Sequence, residues 1–450
     1  MSKKLWGGRF SKPIDEDFDF FQRSIYYDYR LAEYDVYHSL IHIEALKEAG
    51  ILSNEEKEKL RDALKEILAE IKEGKYRFHP HSEDIHSDIQ NKVEKKVGKL
   101  ASKLHTLRSR NDQIVFDERC YCVKEAEEIS HLIEEMVSSL KFIGDKFKST
   151  LFVGYTHTRA AQVIYFQDYL SAYRCMFIRD RNRLLRFREN LPIYIGSGAL
   201  TGSSLRKYYK KAIENFHRYE GKQDVISKIK VVKNPLDNVS ERDFIVEFLS
   251  ILSILQMHLS RLGEDFILYS TEEFGFIELP EDFCTGSSLM PHKKNPDFLE
   301  LVRGYSGRVY GNLMSMLTIM KGLVLTYNRD MQIDKQPLFS SIDIIKEELK
   351  IMAKFIEKIN INEQAVNKAL ENESLYATEL AEFLVYKGVP FAEAHRVIGK
   401  LIRYSQEKQI KIKEIPEAVL KSFHKELNSQ DVKRIVTPDY VIRSRRMIEE

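Results

Sequence analysis

At 450 residues, with 43% hydrophobic and 31% charged side chains, the chain is globular in composition and too long for one ordinary core, so about three domains are expected. A net charge of +2 excludes the basic footprint of a nucleic-acid-binding protein. Cys120, Cys122, Cys175 and Cys284 lack a C-x-x-C spacing and the start "MSKKLWGGRF" lacks an apolar signal core, which together point to a reduced, cytoplasmic chain.

Glycine and proline are scarce, 20 and 11 residues, and cluster between long uninterrupted stretches, so an all-α fold is expected. Helical patterns first cover Leu31 to Glu48 and Asn54 to Glu73, before the polar run "FHPHSEDIHSD". From Asp117 to Lys148, apolar residues recur at Val123, Ala126, Ile129, Ile133, Val137, Leu140 and Phe147, in steps that make one continuous face. Similar stretches run from Ala161 to Glu189, Glu241 to Phe274 and Asp297 to Leu323. Each rod would be near 40 Å long at about 1.5 Å per residue and can bury its stripe only against the others, which gives a central bundle. The most apolar stretch, Phe248 to Leu259, is bounded by Glu247 and Arg261 and reads as a buried helix rather than a membrane span. No alternating strand run of useful length is expected. A fresh helical pattern opens at "INEQAVNKAL", and the chain divides as an N-terminal helical domain 1–109, a central long-helix bundle 110–358 and a C-terminal helical domain 359–450.

Five polar islands interrupt the helices: "HSEDIHSD" (81–88), "RSRNDQ" (108–113), "GYTH" (154–157), "TGSSLMPHKKNPD" (285–297) and "YNRDMQIDK" (327–335). Neither "GSGALTG" nor the Gly-Ser-Lys loop has the glycine spacing or the preceding strand of a nucleotide cradle. The run His79, His81, Glu83, Asp84, His86 and Asp88 could supply metal ligands, but it has no recognised ligand spacing and reads better as a hydrogen-bonding turn, so no metal and no cofactor are expected. Together the islands offer Ser, His and Thr for proton transfer, Asn and Gln as amide donors, and Arg and Lys as carboxylate anchors. That set suits removal of a proton next to a carboxylate, where cations neutralise the dianion as it forms.

"GSSLMPHKKNPD" closely resembles the signature loop of the fumarase and aspartase superfamily, and signature loop 284–297 is placed on it. "LWGGRF", "SIYYDYRLAEYDV", "EDIH", "KLHTLRSRNDQ", "GYTH", "GSGAL", "SERDF", "LSRLGEDFILYSTEEFGF" and "YNRDMQIDK" are similar to the argininosuccinate lyase family. The resemblance implies cleavage of argininosuccinate to arginine and fumarate without a cofactor, by anti elimination through an aci-carboxylate carbanion. It also implies a homotetramer with a twenty-helix core and active sites shared between subunits. Its implied catalytic set is Ser287 as base, His157 as acid, Glu300 oriented against His157, and Lys293 stabilising the dianion. Its implied substrate contacts are Ser24, His86, Arg110, Asn111, Thr156, Asn295, Tyr327, Gln332 and Lys335. Leu107 stands where this family usually has glycine, and His292 where it usually has glutamine. Histidine at that place is common in adenylosuccinate lyases, so the alternative is an adenylosuccinate lyase or another fumarate-releasing member of the superfamily. A metal-dependent hydrolase built on the 79–88 cluster would lose activity to EDTA, whereas a cofactor-free lyase would not.

Overall fold

A computed structural model describes residues 12–220 and 224–445; the motif "LWGGRF" lies outside them. The N-terminal helices are α1 (Ala32–Glu48), α2 (Asn54–Lys72) and α3 (Ile85–Val97), and five long helices follow: α4 (Arg110–Lys146), α5 (Phe166–Asn190), α6 (Asp243–Tyr269), α7 (Asp297–Met320) and α8 (Lys335–Ile356). Helix starts are signalled locally. Ser53 accepts the Glu56 N–H while Glu56 accepts the Ser53 N–H, a reciprocal box that opens α2 and stabilises it by about 1 kcal/mol.

The chain packs into two units, and each long helix contributes residues to both. The first comprises 1–134, 179–257 and 304–348, and the second 135–178, 258–303 and 349–450. Within the first unit the stripe of α4 is buried at Val123, Ala126, Ile129 and Ile133, as its spacing requires. Lys346 of α8 pairs with Glu125 and Glu128 of α4, Arg188 of α5 with Glu127 of α4, and Asn312 of α7 donates to Ser341 of α8. Phe187 of α5 stacks on Phe248 of α6 at 5.0 Å. Helix α6 is long and apolar enough to cross a membrane by length and composition, yet 61% of its most apolar window is buried in protein, the signature of a core helix.

One buried acid in this unit gives a testable pH dependence. Glu348 of α8 accepts a hydrogen bond from Gln256 Nε2 of α6 at 2.8 Å, and burial pushes its carboxyl from 4.5 up to about 8. Between those values the native state binds more protons than the unfolded chain, so stability falls as pH rises and the loss is complete above the folded value. Glu348→Gln is therefore expected to stabilise the protein by roughly 2–3 kcal/mol more at pH 9 than at pH 6, read from denaturant midpoints. An equal shift at the two pH values would contradict this.

The second unit contains a departure from an all-helical expectation that bears on the site. Residues Leu151–Thr156 (β1) and Arg159–Tyr165 (β2) form an antiparallel hairpin, so the helix read from Ala161 begins only at Phe166. The pairing puts the two strands' β-branched and aromatic side chains, Phe152, Val153 and Val163, into the core, and this outweighs the helical propensity of "RAAQ". Phe152 sits amid Phe166, Tyr269 and Phe276 at centroid distances of 5.1–5.5 Å, while Tyr169 and Tyr173 both donate to Asp265. The C-terminal helices that follow, Ala377–Tyr386 and Phe391–Lys408 among them, bury Leu380, Leu384, Ala394, Ile398 and Leu401.

Candidate active site

Four polar segments meet in the first unit. Ser24 N–H donates to the Glu83 carbonyl at 2.9 Å, its hydroxyl donates to Asp28 at 2.6 Å, and Asp28 also accepts the Ile85 N–H at 3.1 Å. The stretch after residue 22 is thereby stitched to "EDIH". Asp84 caps α3 through the Ser87 N–H and holds Arg110 Nε at 3.0 Å, and Arg110 also donates to the Ser87 hydroxyl. Arg329 and Gln332, from "YNRDMQIDK", both donate to the Gln22 carbonyl, at 3.2 and 2.9 Å. Tyr327 is half-buried and Lys335 fully buried. Ser24, His86, Arg110, Asn111, Tyr327, Gln332 and Lys335 thus all belong to this unit.

The charges here are dominated by burial. Burial, then the neighbouring Asp84, pushes Asp28 up to about 7. Burial also works against the charge of Asp35, but His86 and Arg108 outweigh it and hold this carboxyl below the usual range. Asp35 Oδ1 lies 2.8 Å from His86 Nδ1 and accepts Gln113 Nε2 at 2.7 Å, which fixes the imidazole orientation. The "GSGAL" loop is a structural element rather than a phosphate cradle. A short strand, β3 (Ile193–Ile195), does precede it, unlike the expectation of flanking helices, and Asp112 at the start of α4 accepts both the Gly196 and the Ser197 N–H at 2.9–3.0 Å. Asn111 Nδ2 reaches the Ala199 carbonyl of the same loop. Gly198 is indispensable there: at φ 58° an added Cβ would meet the Gly202 carbonyl carbon and the Ser203 nitrogen at 3.0 Å.

The ligand-capable run at 79–88 separates into different partnerships. Asp88 takes Tyr76, the His79 N–H and Ser82, Asp84 takes Arg110, and His86 takes Asp35. Among the described residues one trio, Asp35, His86 and Asp117, brings three ligand atoms within 4.8 Å. Asp35 Oδ1 already serves two nitrogen groups, and burial, then the Asp35 charge, raises Asp117 well above its ordinary value, so a cation would have to displace a proton and an existing hydrogen-bond arrangement.

The second unit carries Thr156, His157, Ser287, Lys293, Asn295 and Glu300. Thr156 ends β1 and pairs with Arg159, leaving His157 and Thr158 as a two-residue turn with φ 51° and 57°. Positive φ at both positions is the turn that matches strand twist, and holding non-glycine residues there costs about 1 kcal/mol each. The turn projects His157 as an exposed side chain. The signature loop is anchored at its base and open at its tip. Thr285–Gly286 pair with Lys294–Asn295, Thr285 donates to Asp297, and Phe283 and Phe298 both pack on Phe355, at 5.7 and 5.8 Å. Between these anchors Ser287 Oγ accepts the N–H groups of Leu289 and Met290 at 3.3 and 3.0 Å. Two donors on one hydroxyl oxygen favour its alkoxide. Leu289, 85% exposed, marks a tip with little holding it down. Glu300 meets Arg303 at 3.7 Å, and among the described residues its side chain makes no hydrogen bond to His157.

Sequence reasoning missed the buried acids Asp28, Asp35, Asp112, Asp117, Glu118 and Asp334. Asp35 and the Asp117-Glu118 pair interrupt otherwise core-forming stretches, "AEYDVYHSLI" and "QIVFDERCYCV", and that interruption was the available signal. Leu107 adopts φ 58°, a left-handed conformation that glycine takes without the steric cost a leucine carries.

Similarity to known proteins extends over nearly the whole chain. The model of the Lyase family matches residues 8–311, and that of the argininosuccinate lyase C-terminal domain matches 374–443. The argininosuccinate lyase of Carboxydothermus hydrogenoformans is 45% identical over 402 residues, 89% of this chain and 86% of the relative. That of Caldanaerobacter subterraneus subsp. tengcongensis is 41% identical over 448 residues, 99% of this chain and 98% of the relative. Among solved structures, an EDDS lyase variant with bound fumarate superposes with a TM-score of 0.78 at 21% identity, covering 97% of this chain and 87% of that one.

Proposed function

The chain belongs to the argininosuccinate lyase family, and on that premise we propose that it cleaves argininosuccinate to L-arginine and fumarate, in the cytoplasm, as a step of arginine biosynthesis. The observation that carries this reading is the 41% identity sustained across 448 residues, which spans every polar island at once.

In the proposed elimination, the Ser287 oxygen removes the proton beside the succinate carboxylate. Its two backbone donors support it, because a serine hydroxyl is a poor base at its free pKa. The electron pair left on carbon spreads into that carboxylate, and Lys293 and Asn295 hold the resulting dianion. Expulsion of the guanidino nitrogen then forms the fumarate double bond, and His157 delivers a proton to the departing nitrogen. Ser24, Asn111, Thr156, Tyr327, Gln332 and Lys335 hold the rest of the substrate, with His86 and Arg110 in support. The open tip of the signature loop suits closure over substrate, which excludes water as the dianion forms.

The proposed assembly is a homotetramer with each site drawn from more than one subunit. Helix α7 supports it: Leu301, Tyr305, Tyr310, Met314 and Leu317 are 38–62% exposed along it and lie on more than one side of the helix, apolar surface of the kind that packs against other copies. Such burial also explains why His157 and Glu300 stand exposed in one chain. Light scattering is expected to give four subunits; a monomer would contradict the shared site. His292 favours a second reading, adenylosuccinate as substrate, and release of fumarate from one compound or the other decides between them.

A further inference from the structure

The "SERDF" motif has no part in the elimination as drawn, yet its arginine heads the fully buried large side chains among the described residues. Arg242 Nε lies 2.8 Å from Asp334 Oδ2 and 3.0 Å from Glu118 Oε2, and Lys335 Nζ lies 2.8 Å from Asp334 Oδ1 and 2.6 Å from Glu118 Oε1. Each carboxylate bridges both cations, which makes a closed ring of four ionisable groups whose side chains are 0–3% exposed. Burial, then the Asp334 charge, pushes Glu118 up to about 7, so above that pH both carboxylates are ionised and the ring is neutral. The members come from α4, the residue preceding α6, and the junction of Asp334 with Lys335, the first residue of α8.

Stability alone is a poor reason for such a ring, because desolvation of buried ions offsets most of their attraction and apolar packing does as well. Position is a better one. The ring borders the polar cluster, since the Lys335 charge acts on Tyr327, Tyr27 and Asp28. Burial pulls the Lys335 ammonium down, but Asp334 and Glu118 outweigh it and keep the group charged. Those two carboxylates would by themselves outnumber one ammonium and repel an anionic substrate. Arg242 removes that surplus: it occupies the far oxygen of each, leaving the near oxygens to hold Lys335 in place.

We propose that Arg242 is a positioning residue, which neutralises Glu118 and Asp334 so that the Lys335 ammonium they hold is presented to a substrate carboxylate. The proposal rests on the reading of Lys335 as a substrate contact in argininosuccinate cleavage. Its consequence is a charge rule, in which substrate binding follows the net charge of the ring more than the presence of any one of the three partners.

The test uses steady-state fumarate release from argininosuccinate at about pH 9, where Glu118 is ionised, by the full-length protein, its Arg242→Met variant and the double variant Arg242→Met/Glu118→Gln. Arg242→Met leaves the ring one negative charge in excess and is expected to raise KM by roughly tenfold or more with kcat within about threefold of the parent. The double variant restores neutrality and is expected to return KM to within about threefold of the parent. A purely structural role would lower the active fraction and so kcat, leaving KM unmoved and unrepaired by the second substitution. Unchanged KM in Arg242→Met, or a KM in the double variant as high as in the single one, overturns the proposal. If Arg242→Met fails to fold, the double variant decides alone: a parent-like KM supports the charge rule and a tenfold increase overturns it. A parent protein that releases no fumarate from argininosuccinate sinks the functional reading itself, an outcome visible before any variant is measured.

Discussion

Ser287→Ala is expected to slow fumarate release by roughly 10²–10⁴-fold while leaving helix content and subunit number unchanged. The side chain sits at the tip of the signature loop, between anchors that do not involve it: the Thr285–Gly286 ladder with Lys294–Asn295, and Phe283 and Phe298 on Phe355. Its only described hydrogen bonds are those it accepts from Leu289 and Met290 in an exposed turn. Replacing a half-buried hydroxyl there with a methyl removes the proposed base and almost no packing. Turnover within a few-fold of the parent would remove Ser287 from the chemistry, and a lost helical signal would mean that the loop has a structural role not visible in its contacts.

His157→Asn is expected to have an effect of similar size, and asparagine is the informative replacement. His157 occupies the left-handed region at φ 51°, which asparagine tolerates better than alanine does, so the hairpin turn survives while the imidazole is lost. Near-parent turnover would assign the proton donor elsewhere. The pair of variants also probes the shared site. If Ser287 and His157 of one site belong to different subunits, tetramers reassembled from a mixture of the two inactive variants contain about a quarter of their sites with both native residues, and activity returns. No recovery on mixing would place both residues of a site on one chain.

The helices were legible because their burial follows directly from spacing: Val123, Ala126, Ile129, Ile133 and Leu140 of α4 are fully buried. The hairpin was not. Its turn is His-Thr rather than the glycine or asparagine that usually marks one, and the alanines of "RAAQVIY" extend a helical pattern back through residues that pair as a strand. The polar islands were visible as interruptions, and their motifs named residues, but partnerships across the chain were beyond a linear reading. Nothing in the spacing of "SERDF" and "QIDK" announces that Arg242 and Lys335 share two carboxylates, one of them in "VFDER" more than a hundred residues upstream. The buried acids were only half visible: Asp35 interrupts a core-forming stretch, but its partners His86 and Gln113 are brought in by other segments.

The central claim is the identity of the substrate, and the most direct measurement offers the purified protein argininosuccinate and adenylosuccinate separately and follows fumarate by its ultraviolet absorbance. Fumarate is expected from argininosuccinate and not from adenylosuccinate. Release from adenylosuccinate alone would move the assignment to the reading that His292 favours, and release from neither would contradict a fumarate-forming lyase altogether.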